Sequence, residues 1–219
     1  MASGDSPMEK VEPVATGAPP SVRVDQVLET ATRLFTERGY DAASIRDLAA
    51  ALAMRPSSLY HHFPGKQHIL FAICFGLQTD FNHAVMPLFE TGNGPVEMIQ
   101  DVIAEHIRFS LARRGEVLVN TRERRSLPPD LLGQVNALRR EYRDAVVEVI
   151  EAGGRQGLFK VSDPKLAAMA VFDMVNGMFQ WFRPRDAGDA ERIAAAYVKG
   201  AVALLRGWEG RGGSAPSLT

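Results

Sequence analysis

The chain has 219 residues, is 46% hydrophobic and 23% charged, and carries a formal net charge of −1 at neutral pH. That is the composition of a globular protein with one or two domains and a real core, and it sets up no global field that would mark nucleic acid or a membrane as partner. The single cysteine, Cys74, excludes an internal disulfide framework and fits a reducing cytoplasm.

Half of the first 20 residues are Pro, Gly, Ser or Glu. They lack the basic start and apolar stretch of a signal peptide and read as a disordered tail over 1–20, matched by another over 209–219. No apolar run approaches the roughly 20 residues that span a bilayer. From there on nearly every segment has a helical period and almost none alternates as a strand would. Val27, Leu28, Ala31, Leu34 and Phe35 form one apolar stripe, and Gly39 ends that helix. Ser44 opens a second helix with Asp47 three residues on, a capping-box spacing, followed by Ile45, Leu48, Ala49 and Leu52 on one face. The stretch Met54-Arg-Pro-Ser-Ser-Leu-Tyr-His-His-Phe63 predicts a short third helix with Pro56 in its first turn and only Leu59 and Phe63 to anchor it. After Phe63-Pro64-Gly65 a longer, greasier helix runs from about Lys66 to Leu88, with Ile69, Leu70, Ile73, Leu77 and Phe81 on one face. Further helices are expected near 95–113, 115–125, 128–153, 164–182 and 188–207. The expected fold is all-α, about nine helices, with a small N-terminal three-helix unit over 21–65 and a larger helical body over 66–208.

A five- to eight-residue helix is marginal by itself. It makes sense as the second helix of a helix-turn-helix, where its work is to enter a DNA major groove and only one side must touch the core. Leu59 and Phe63 supply that side. Arg55, Ser57, Ser58, Tyr60 and His61 are then free to meet base edges and phosphates. Charge alone is weak support: Arg23, Arg33, Arg38, Arg46, Arg55 and Lys66 against Asp25, Glu29, Glu37, Asp41 and Asp47 leave residues 21–70 at a net of +1. The tandem His61 and His62 point about 100° apart on a helix and do not easily share a metal.

At Gly39-Tyr40, Ser44-Ile45-Arg46-Asp47-Leu48-Ala49, Leu59-Tyr60-His61-His62-Phe63 and Lys66 the sequence resembles the TetR family of transcriptional regulators. The resemblance is strong over about 22–70, and the length and helical layout extend it to the whole chain. It implies that Ser44, Tyr60 and Lys66 lie near DNA phosphates. Two positions depart from the family pattern. Ala53 stands where Gly is usual in the turn, so either alanine adopts a less comfortable backbone or the turn differs. Arg55 stands where a Ser cap is usual and has no oxygen to accept a backbone N–H.

In proteins of this kind the body dimerises and binds an effector. Ala194, Ala195, Ala196, Gly200, Ala201 and Ala203 offer a small-residue surface on the last helix, suited to a homodimer through the last two helices, with close packing within one chain as the plainer alternative. A homodimer doubles the few base contacts of one short helix and implies a palindromic operator on double-stranded DNA. For the effector, His106 and Phe109 sit among apolar neighbours, and Phe172, Asn176, Phe179 and Trp181 fall in one aromatic-rich helix. A polar group on an apolar helix needs a partner, which is a ligand or a backbone carbonyl. Arg122 and Arg125 end another helix, and guanidinium groups suit phosphates. From RERRSL through LRREYRDAVVEVIEAGGRQGLF to NGMFQWFRP the chain resembles the branch of the family that senses acyl-CoA thioesters of lipid or steroid catabolism. That implies an apolar tunnel for the acyl chain and arginines for the CoA phosphates, with repression as the family habit; a drug- or efflux-type ligand is the alternative.

No G-x-S-x-G, H-E-x-x-H, Gly-rich phosphate loop or C-x-x-C occurs. No catalytic residue, metal ligand or cofactor is therefore expected, Cys74 reads as a small core residue, and His83 with His106 would pair only if the fold joined them. A cytoplasmic, non-enzymatic regulator is the leading reading. A helical adaptor that binds proteins instead of DNA is the rival.

Overall fold

The computed structural model describes residues 24–207; the tails expected over 1–20 and 209–219 lie outside the described residues. Among the described residues there are nine α-helices and no strand.

Helix α1 (Val24–Arg38) buries Val27, Ala31, Leu34 and Phe35, the stripe legible in the sequence. Gly39 then takes φ 82°, and its N–H donates to the carbonyl of Phe35 over 3.0 Å. Only a residue without a Cβ adopts that left-handed turn without strain. Helix α2 (Ile45–Ala51) opens on a complete capping box: the Asp47 N–H donates to Ser44 Oγ, and the Ser44 N–H donates to the Asp47 carboxylate. Helix α3 (Pro56–Tyr60) follows a turn in which Ala53 has φ 52°. Alanine does adopt the left-handed conformation, so the turn keeps its shape at the expense of strain.

Helix α4 (Lys66–Val85) ends its α-helical course at Val85, and a 3-10 turn carries the chain from Met86 to Glu90. Pro87 lies in that turn and has no N–H to continue the α-helical ladder. Lys66–Glu90 is long and apolar enough to cross a membrane by length and composition, with a mean hydropathy of 1.2. Here it serves as the central core helix, burying Ile69, Leu70, Ile73, Leu77 and Phe81. Around it stand α5 (Pro95–Ala112), α6 (Arg114–Glu123), α7 (Pro129–Arg155), α8 (Pro164–Trp181) and α9 (Ala187–Gly207).

Two apolar cores result. The first joins α1, α2 and α3 to the N-terminal half of α4 and continues into Val119, Leu127 and Val135. The second fills the space between α5, α7, α8 and α9 and reaches Phe81 and Val85 of α4. Helix α4 is thus common to both. Near the end of α7 the ring of Phe159 lies where a side chain on Gly153 would be, 2.1 Å from the position of a Cβ. On α9, Ala194 and Ala201 are buried in the second core, whereas Ala195, Ala196 and Ala203 are exposed. The small-residue surface therefore splits between internal packing and an open face.

Candidate DNA-binding surface and effector cavity

The short helix α3 is held by Leu59 at 1% exposure and Phe63 at 8%. Tyr60 is 54% exposed. Arg55, Ser57 and His61 are exposed and Ser58 is half-buried. His62 is exposed as well. The polar side chains expected to meet DNA are gathered on and beside one helix whose inner side alone is packed. Arg55 takes the position before the first turn and makes no capping hydrogen bond, as its lack of an acceptor requires. Ser44 is occupied by the capping box. Lys66 is committed inward: its ammonium donates to the carbonyls of Tyr40 at 2.8 Å and Ala43 at 3.0 Å, and lies 4.1 Å from the centre of the Tyr40 ring. It buckles the start of α4 to the loop between α1 and α2. The charge sits on carbonyls, at the place where the resemblance implied a phosphate contact.

The body holds a cavity of about 410 Å³ between α4, α5, α6, α7 and α8. Phe81 and Gln78 form the α4 wall; His106, Phe109 and Ser110 come from α5; Asn120 and Thr121 from α6. Met169, Phe172, Asp173 and Asn176 close the α8 side. Helix α7 contributes Asn136, Arg139, Arg140, Tyr142 and Arg143. The aromatic part is tightly built: the Phe81 ring stands edge-on to His106 and Tyr142, with centroids 4.9 and 4.8 Å away. His106 Nδ1 and the Tyr142 hydroxyl are 3.2 Å apart. Burial drives His106 down to about 3, so the ring is neutral, and burial raises the Tyr142 hydroxyl well above its ordinary range. Arg139, on the same wall, is partly desolvated, which pulls it down to about 10, and the charge of Arg124 pushes in the same direction.

Four of the residues read from the sequence as ligand contacts, His106, Phe109, Phe172 and Asn176, share this cavity. The other four lie elsewhere. Phe179 is in the second core, Trp181 is 62% exposed at the end of α8, and Arg122 and Arg125 are exposed on and after α6. The α7 arginines were missed, although a signal existed. Asn136, Arg139, Arg140 and Arg143 recur at i, i+3, i+4 and i+7, which puts them on one face of a helix. Tyr142 borders that face and is buried. A polar stripe on a face that must also pack is the mark of a cavity wall. Cys74 is fully buried and its thiol is pushed up to about 12 by burial, so it is an inert core residue. Among the described residues no cluster of His, Cys, Asp or Glu could hold a metal, and His83 is exposed.

The cavity wall is wired to α4. Gln78 Nε2 donates to Asn82 Oδ1 at 2.9 Å, and Asn82 Nδ2 donates to the Leu138 carbonyl and to a Glu141 carboxylate oxygen, each at 3.0 Å. This ladder joins α4 to the stretch of α7 that carries Arg139 and Tyr142.

A three-helix unit with an outward short helix, joined by one core helix to a body with a partly open cavity, defines the class of ligand-responsive helix-turn-helix regulators. Residues 27–73 match the family described as bacterial regulatory proteins, tetR family, and residues 92–205 match the tetracyclin repressor-like C-terminal domain. The chain belongs to the TetR family of DNA-binding transcriptional regulators. It is 26% identical over 180 residues to the HTH-type transcriptional repressor KstR2 of Rhodococcus jostii strain RHA1, covering 81% of this chain and 88% of that one. The crystal structure of PfmR, a TetR family transcriptional regulator of Thermus thermophilus, is 34% identical with a TM-score of 0.74, over 84% of this chain and 98% of that one. The structure of AibR in complex with isovaleryl coenzyme A and operator DNA is 30% identical with a TM-score of 0.73, over 84% and 97%.

Proposed function

We propose that this protein is a transcriptional repressor, acting in the cytoplasm as a homodimer on a palindromic operator and released by an acyl-CoA thioester. The observation that carries the reading is the continuity of α4. Its N-terminal half packs against the helix-turn-helix, and its C-terminal half forms a wall of the cavity. The similarity to AibR, whose structure holds isovaleryl coenzyme A and operator DNA together, supports a thioester effector. The similarity to KstR2, a named repressor, supports the sign of regulation.

The working division falls near residue 65, with 21–65 on DNA and 66–208 holding effector and partner. Arg55, Ser57, Ser58, Tyr60 and His61 face the major groove and its phosphates. Ser44 and Lys66 contribute by fixing the frame: one caps α2 and the other ties α4 to it. The acyl part of the effector occupies the space beside His106, Phe109, Phe172 and Asn176, while Arg122 and Arg125 outside the cavity take the CoA phosphates. Exposed Leu166 on α8 and the exposed alanines of α9 form the dimer face. Effector binding favours a body arrangement that tilts α4, so that the two recognition helices no longer match grooves about 34 Å apart. It does so only by binding the two arrangements unequally.

The test is binding of the purified protein to the DNA upstream of its own and neighbouring genes, at several salt concentrations, followed by thermal-shift screening with a panel of acyl-CoA thioesters. Salt-sensitive binding to a palindrome is expected. No shift with any CoA thioester would discard the effector class, and no specific DNA binding would favour a protein-binding adaptor.

A further inference from the structure

The cavity holds a cation without a counter-charge. Arg139 lines it and is half-buried, and among the described residues no carboxylate pairs with its guanidinium and no acceptor takes its N–H groups. Asp173 is the acidic residue on the wall; it is exposed on α8 and forms no ion pair with Arg139. Behind Arg139 lies a second part-buried arginine, Arg124, whose Nε is buried and unpartnered. Its positive charge makes that of Arg139 harder to hold. Arg140, exposed, and Arg143, paired with Asp144, stand on the same wall. Asn120 Oδ1, also on the wall, is buried without a partner. A guanidinium drawn partly out of water without a partner is less favourable than one in bulk solvent, and an anionic ligand in the cavity would complete the pair. An effector that was apolar throughout would leave that charge as it stands.

We propose that the effector brings an anionic group into the cavity to pair with Arg139. The inference rests on the cavity being the effector site and adds the chemistry of its α7 wall. A guanidinium binds a carboxylate or a phosphate in the same two-pronged geometry, so two sources share this chemistry: a free carboxylate on the bound molecule, or one phosphate of the CoA moiety, the others reaching Arg122 and Arg125 outside the cavity.

Two pairs of probes separate the sources on the full-length protein. Octanoate is compared with octanamide, and octanoyl-CoA with octanoyl-pantetheine, which lacks the phosphates. Thermal shifts at millimolar probe are read for the wild type, Arg139→Met and Arg139→Lys. At least one anionic member is expected to act at a concentration tenfold or more below its uncharged counterpart, with the difference abolished by Arg139→Met and partly kept by Arg139→Lys. The octanoate pair responding identifies a carboxylate, and the CoA pair a phosphate. Equal action of charged and uncharged members overturns the proposal, as does a full response in Arg139→Met or no response to any probe. Loss of the unpaired charge should leave the melting temperature of the probe-free Met variant unchanged or higher. Operator binding by the same preparation without probe keeps the two readings apart: intact DNA binding with a failed anion arm discards this inference alone, whereas an Arg139-dependent response without DNA binding discards the regulator.

Discussion

Ala53 is where a single residue works hardest against its own preference. With φ 52°, an L-residue gives up about 1–2 kcal/mol, and glycine would return part of that through the freedom it gains when unfolded. Ala53→Gly is therefore expected to raise the unfolding free energy from urea denaturation by a net of about 0.5 kcal/mol, while the β-branched Ala53→Val should lower it by about 1 kcal/mol or more. His106 makes a second residue-scale prediction. Burial, with a smaller push from Arg139, holds its native value near 3, below the ordinary 6.5. Between those values the unfolded chain binds more protons than the native one, so stability rises with pH there and falls as the solution is acidified below about 6.5. His106→Gln should flatten that acid-side loss in chemical denaturation followed from pH 7 to pH 4. A slope left unchanged by the substitution would mean that other groups carry it.

At the scale of the element, helices announce themselves through apolar spacing and caps, which is why α1, α2 and α3 were legible in the sequence. Ser44, Asp47 and Gly39 end or start their helices by local hydrogen bonding alone, and local chemistry is what a sequence displays. The break of α4 at Val85 was overrun because the apolar stripe continues past the point where Pro87 ends the ladder. The inward reach of Lys66 depends on carbonyls 23 and 26 residues earlier in the chain, and no periodicity reveals such a partner. The cavity was half legible. His106, Phe109, Phe172 and Asn176 stand out as polar or aromatic positions on apolar helices, but Arg139 looks like one more arginine on a solvated face until α4 and α6 close over it. Close packing also sets limits on elements. The Phe159 ring fills the space beside Gly153 in α7, so Gly153→Ala should cost about 1–3 kcal/mol by overpacking, read as a lowered melting temperature. A substitution that kept the melting temperature would show that the turn after α7 yields easily.

At the scale of the whole molecule, the helix-turn-helix and the cavity share α4, and the ladder from Gln78 through Asn82 to Leu138 and Glu141 ties α4 to α7. Asn82→Ala removes the centre of that ladder. It should leave effector binding within a few-fold of the wild type while weakening the effect of the effector on DNA affinity, seen by comparing calorimetric titration of the thioester with operator binding in its presence. The central claim is that the two sites are energetically coupled, and coupling between two equilibria is reciprocal. The most direct test is the operator affinity of the full-length protein measured with and without saturating octanoyl-CoA, alongside the octanoyl-CoA affinity measured with and without operator. The account predicts that both affinities fall by the same factor, about fivefold or more. A thioester that binds the protein yet leaves operator affinity unchanged would contradict it.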